Sequence, residues 1–212
     1  VLRRNGIDPA PLRRHDDTWE LFLAAHAHQI AAIDFTTVEC FDRGDLATQY
    51  CLFAIHHDTR RVAFLGLTTH PDTPWMAQQA RNLIADGGFL NGRRFLLMDR
   101  DATFSERFRS VLANGGIESV RTPPQSPNCN AFIERFFRSL KEECLDRIIP
   151  LSPDGLRHAI AEFVEHYHRE RPHQGLDGAL INSPINESRP TGRIHCGTRL
   201  GGILRHYHRS AA

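Results

Sequence analysis

No Cys-x-x-Cys pair occurs in this chain, although it holds five cysteines, at positions 40, 51, 129, 144 and 196. Structural zinc modules built on such pairs are therefore excluded. An odd number of cysteines without a framework spacing suits free thiols in a reducing cytoplasm, which is the expected compartment. No apolar run approaches the length of a bilayer span, and the first residues lack a signal-peptide pattern. Internal repeats and low-complexity tracts are missing as well. Net charge is small, +1 from 26 basic and 25 acidic side chains, so overall charge gives no sign of a nucleic-acid partner. There is no GxSxG, no Cys/His pair at a catalytic spacing and no phosphate-binding glycine loop, which removes the usual side-chain nucleophiles and nucleotide cradles. The 13 histidines include His56/His57, His166/His168 and His206/His208, but these have no cysteine partners and read as scattered core and surface residues.

What the chain does have is enough apolar residue to build one medium domain: 212 residues, 41% of them hydrophobic. It begins at Val1 rather than at a methionine, so a preceding segment is expected. Residues 1–17 read as a linker or the remnant of a preceding DNA-binding region, 18–180 as the core and 181–212 as a basic extension. From Ser188 to Ala212 there are five arginines, three histidines and no acid, a composition open both to DNA contact and to plain solvation. A short helix is expected from Thr18 to Ala27, with Thr18 as its cap. Strands follow at Gln29–Val38, Ala47–His56 and Arg61–Thr68, the last two joined by the Asp58-Thr59-Arg60 turn as an antiparallel hairpin. Cys40–Leu46 reads as a looser connection that holds Asp42 and Asp45, with Glu39 as a further loop acid. Thr73 caps a helix that ends at Gly87-Gly88. Arg94–Asp99 is a buried parallel strand, Ser105–Asn114 a helix and Ile117–Arg121 a short strand. Helices then carry Glu134 and span Asp154–Arg169. Ile194–His208 forms a strand or two, broken by Gly197 and Gly201-Gly202.

Three strands, helix, strand, helix, short strand, helices is the order of an α/β, ribonuclease-H-like fold: a mixed five-stranded sheet flanked by helices. In it the first and fourth strands lie side by side, which brings Asp34 and Asp99 within reach of each other. The stretch from Pro123 to Arg147 is the centre of the reading. After a proline-rich turn, Phe132, Ile133, Phe136, Phe137, Leu140 and Cys144 form an apolar helical stripe. Glu134 flanks that stripe. Lys141 follows seven residues later, about two turns on, so both leave the same side of the helix. Three converging carboxylates repel one another. Acceptor-only oxygens suit hard cations such as Mg²⁺ or Mn²⁺, and a shared carboxylate can bridge two ions roughly 4 Å apart for in-line displacement at phosphorus.

These residues resemble a known family. Asp34 in AAIDFTTV, Asp99 in MDRDATF, and Glu134 with Lys141 in PNCNAFIERFFRSLKEECLDR look like the signature of DDE transposases and retroviral-type integrases. Thirty-four residues separate Asp99 from Glu134, close to that family's spacing. HYHRERPHQGLDG resembles the segment after the core of bacterial insertion-sequence transposases. The resemblance covers about residues 18–180. It implies a DNA transposase or integrase core that cleaves a DNA 3′ end and transfers the strand, with Asp34, Asp99 and Glu134 holding two Mg²⁺ or Mn²⁺ ions. It also implies Lys141, Asn128, Asn130, Arg135 and Arg138 on the DNA side, with Gln125-Ser126 nearby. The partners would be transposon ends and target DNA, engaged by a homo-oligomer, with no membrane. There is no HHCC zinc module, and residues 1–15 stand where a helix-turn-helix would end. A ribonuclease-H-like nuclease and a non-catalytic DNA-binding remnant are the alternatives. So are Asp101 in place of Asp99, a plain Lys141–Glu134 pair, Arg135 and Arg138 as surface charge, and His173 as a turn-packing residue. Trp75 and the phenylalanines read as core.

Overall fold

The computed structural model describes residues 15–122, 130–182 and 192–209, with side chains from residue 21 onward. Its centre is a five-stranded sheet in the order β3-β2-β1-β4-β5. The strands are β1 (Ile30–Asp42), β2 (Asp45–His56), β3 (Val62–Thr68), β4 (Phe95–Met98) and β5 (Glu118–Arg121). β1, β2 and β3 are antiparallel neighbours, while β4 runs parallel to β1 and β5 parallel to β4. Helices α1 (His15–His26), α2 (Thr73–Ile84), α3 (Glu106–Asn114), α4 (Ala131–Glu143) and α5 (Pro153–Arg169) surround it. This is the mixed, ribonuclease-H-like α/β sheet expected from the order of elements. No helix among the described residues is long and apolar enough to cross a membrane.

Side chains alternate across a strand, and the alternation here sorts the core into two layers. Ala31 and Ile33 of β1 and Leu96 and Met98 of β4 pack with Met76 and Leu83 of α2 and Phe108 and Leu112 of α3. Ile30 and Ala32 of β1 and Leu97 of β4 face the other way, against Ile133, Phe136 and Leu140 of α4 and Phe163 of α5. The stripe expected on α4 is thus real. Ile133, Phe136, Phe137, Leu140 and Cys144 are buried, while Phe132 at its edge is half-buried.

Several local expectations change. Cys40–Leu46 is no loose connection: β1 and β2 stay paired to Asp42 opposite Asp45, leaving only Arg43 and Gly44 to turn the chain. Both have positive φ, 54° and 97°, as a two-residue hairpin of this twist requires. Glu39, Asp42 and Asp45 are therefore strand residues, and Glu39 accepts a cross-strand bond from Thr48 Oγ1 at 2.7 Å. α1 begins at His15, so Thr18 lies inside it rather than at its cap. Gly197 does not break its strand: the ring of His206 lies flat on it where a Cβ would stand. β6 (Ile194–Arg199) and β7 (Leu204–Arg209) form a separate antiparallel hairpin.

The cap of α2 is Asp72, whose carboxylate accepts from the Trp75 amide at 2.9 Å, rather than Thr73. Asp72→Ala should cost about 1 kcal/mol of stability in urea denaturation. Thr73→Ala should cost nothing measurable, and equal losses from the two would contradict the capping assignment.

Candidate active site

Asp34 occupies the fifth position of β1, on the same face as Ile30 and Ala32, and so points toward the α4 layer. The parallel register pairs Ala31 with Leu96 and Ala32 with Leu97. Continued by two residues, it sets Asp34 level with Asp99, just past the end of β4 and on the same face as Leu97. Adjacent strands lie about 4.8 Å apart, so the two carboxylates are neighbours because hydrophobic packing fixes the strands beneath them. Glu134, exposed in the first turn of α4, closes the third side.

Asp34 records this crowding. Its carboxyl is pushed up to about 7, first by burial and then by the charges of Asp99, Glu134 and Asp101, against a lowering bond from the Phe35 amide. That amide meets Oδ1 at 2.8 Å, and the Asn130 side-chain amide approaches Oδ2 at 3.4 Å. Asn130 is buried, so it turns inward onto Asp34 instead of outward to solvent, and its own Oδ1 has no protein hydrogen-bond partner. Asp99 accepts from the Asp101 amide at 2.9 Å and Asp101 from the Thr103 amide at 2.7 Å, and both charges bear on Asp34, that of Asp99 more strongly. Among the described residues Lys141 has no carboxylate within ion-pair distance, so it is not paired with Glu134. Asn128, Gln125, Ser126 and Cys129 lie outside the described residues.

The donor set fits hard divalent cations: three acceptor-only carboxylates and the unpartnered Asn130 oxygen, with no sulfur or imidazole among them. Among the described residues, a different cluster has the spacing to hold a metal ion. That cluster is His166, Glu170 and His206, whose ligand atoms lie within 4.8 Å of one another. Sequence reading left these histidines scattered, because α5 and β7 are far apart along the chain. Both oxygens of Glu170 are already taken by the Arg199 guanidinium, at 2.7 to 3.0 Å, so the cluster is an ion-pair anchor for the hairpin.

His173 is buried and bonded through Nε2 to the Tyr167 carbonyl at 2.7 Å, which makes it turn packing. Arg135 and Arg138 are exposed and line a cavity with Arg60 and Arg171, two residues whose role sequence reading missed. Only the RPHQGL tract pointed there. Trp75 stacks on Phe35, within the core as expected.

Comparison with known proteins agrees with this fold. Residues 115–179 match the integrase core domain family. The matched stretch takes in α4, Glu134 and Lys141. Over 81 residues, 38% of the chain, it is 33% identical to the uncharacterized 39.2 kDa protein of insertion element IS476 from Xanthomonas euvesicatoria. That alignment spans 23% of the relative's length, about a quarter. Solved structures share the fold. The HTLV-2 integrase catalytic core, solved with magnesium in a trimeric form, superposes with a TM-score of 0.54 at 13% identity, covering 73% of this chain and 93% of that one. The simian T-cell lymphotropic virus intasome gives 0.52 at 15% identity, covering 86% and 67%. The BIV integrase core gives 0.51 at 16%, covering 73% and 91%.

Proposed function

We propose that this integrase core performs metal-dependent cleavage at a DNA 3′ end followed by strand transfer, as the catalytic part of a DNA transposase. The observation that carries the reading is the state of Asp34: a half-buried carboxyl raised first by burial and then by the charges of Asp99, Glu134 and Asp101, on a scaffold whose register sets it beside Asp99. A protein that used this position only for stability would gain nothing from such repulsion.

Asp34, Asp99 and Glu134 would hold two Mg²⁺ or Mn²⁺ ions. When bound, such ions lower the pKa of the attacking hydroxyl and stabilise the leaving oxygen. The chain's own residues orient the site. The Phe35 amide and Asn130 fix Asp34 in one rotamer, which makes Asn130 a positioning residue. Burial of Ile133, Phe136 and Leu140 fixes the direction of Glu134. Lys141 and Arg138, unpaired on the exposed side of α4, are suited to backbone phosphates, with Arg135 and Asn128 as further DNA contacts. In cleavage, a water oxygen bonds to phosphorus and the bond to the 3′ oxygen breaks, leaving a 3′-hydroxyl. In transfer, that hydroxyl oxygen bonds to a target phosphorus, and the target's own 3′ oxygen leaves with a proton. Two ends must be held at once, so we place the active form in a homo-oligomer on DNA.

A joining assay tests this, with a donor duplex carrying a free 3′-hydroxyl and a supercoiled target. Joined product is expected with Mg²⁺ or Mn²⁺, none in EDTA and none from Glu134→Gln. Product from Glu134→Gln would refute the catalytic assignment. Cleavage without joining would favour the hydrolytic nuclease possible on the same fold, and DNA binding without metal binding would favour the non-catalytic remnant.

A further inference from the structure

Round α4 from the acids lies a cavity of about 470 Å³. Its position follows from helix geometry. Arg138 is four residues past Glu134, a rotation of about 40°, and Arg135 is one residue past it, about 100°. The cavity therefore adjoins the acidic edge without sharing it. Its opposite wall is the turn after α5, with Gln174 and Gly175, and its floor includes Phe132 and Tyr167.

The lining contains four arginines and no acid. Arg171 is neutralised by Glu143, at 2.7 Å. Among the described residues, Arg60, Arg135 and Arg138 have no carboxylate within ion-pair distance. Arg60 is half-buried, and its guanidinium carbon sits over the Phe132 ring, 3.2 Å from the centroid, while it donates to the His57 carbonyl. Burial and the nearby Arg135 both disfavour its charge. A fold that collects cations against their own repulsion leaves a place for an anion. The volume falls within the range of small-ligand pockets, roughly 300–1,000 Å³, too small for a duplex. A guanidinium plane backed by an aromatic ring is a platform on which a base can stack, and bases stacked this way bind without sequence preference.

We propose that this cavity receives one unpaired nucleotide of a DNA strand, its phosphate on Arg135 and Arg138 and its base against the Arg60–Phe132 stack. This rests on reading the chain as a DNA-joining core. One face of α4 then serves the reacting phosphate and the next holds the displaced base.

Gly175 supplies a clean variant. It sits at the rim with ordinary backbone angles, and a Cβ added there meets nothing within 4 Å, so Gly175→Glu brings in a carboxylate without strain. The full chain is titrated with a blunt duplex, the same duplex with a short 5′ overhang, and free thymidine 5′-monophosphate. The overhang should improve affinity about tenfold, as one stacked base can, and Gly175→Glu should erase that gain, so that blunt and overhanging duplexes bind it alike. Arg60→Gln should erase the gain as well. Equal affinity for blunt and overhanging duplexes, or a gain that survives Gly175→Glu, overturns the proposal while leaving the DNA-joining reading intact. Tight binding of the free nucleotide with no overhang gain overturns it in favour of a soluble ligand. Failure of every duplex to bind counts against the joining reading itself.

Discussion

Asp34→Asn should reduce DNA joining to background and, in the same preparation, make the protein more stable. The two effects have one cause. In the fold Asp34 is half-buried beside Asp99 and Glu134, and its carboxyl is raised from the ordinary 3.8 to about 7. The folded state therefore retains a proton that the unfolded chain releases. By linkage, stability falls as pH rises from about 4 to about 7 and is flat above that, where the charge is fully present in both states. Asparagine keeps the shape, can still accept from the Phe35 amide, and removes the charge. The gain at pH 8 in EDTA should be on the order of 2 kcal/mol, or about 6 °C in Tm for a chain of this size. Urea denaturation of both proteins at pH 5 and pH 8 checks it. The variant should lose the decline between those values. A variant no more stable than the parent at pH 8 would mean that Asp34 is not under electrostatic load, and the argument for a cation-collecting site would lose its main support.

Why so much of this site was legible is clear from β1. Every second side chain of a strand shares a face, so Asp34 goes with Ile30 and Ala32, and the order of elements announces that β4 lies beside β1. Glu134 was placed by the 3.6-residue period of α4, because the apolar stripe fixes the helix rotation. Asn130 was expected on the DNA side, but its sequence position cannot reveal that the start of α4 tucks beneath Asp34. Arg60 was invisible for a similar reason. It belongs to the β2–β3 turn, has φ of 61° and meets α4 only in three dimensions. The hairpin turn at Arg43-Gly44 was missed because acids on an exposed strand look like loop composition. The basic C-terminal stretch shows the limit of counting charge. Arg199, one of its five arginines, is spent on Glu162 and Glu170 and is not available to DNA.

That pairing leads to the largest stability effect expected outside the site. Glu170 follows the last residue of α5 and gathers three cations or potential cations from three elements. Arg199 of β6 takes both its oxygens, at 2.7 to 3.0 Å. His166 and His206 meet its Oε2 at 2.9 and 3.0 Å. Burial alone would raise its pKa, but the bonds from Arg199 and His166 override burial and hold it down to about 2. Its contribution is thus complete above about pH 4.5, its ordinary value, and is lost as pH falls from there toward 2. Glu170→Ala should cost about 3 kcal/mol, because Arg199 is left partly buried against an empty place. The loss should appear first in the hairpin, since few apolar side chains besides Leu204 tie it down. Hydrogen exchange should show β6 and β7 opening in Glu170→Ala at pH 7 while β1 and β4 stay protected. The parent should open the same hairpin on acidification below pH 4.5, whereas the variant's hairpin should be insensitive to that change. Unchanged protection of β7 in the variant would show that packing, not this carboxylate, holds the hairpin to α5.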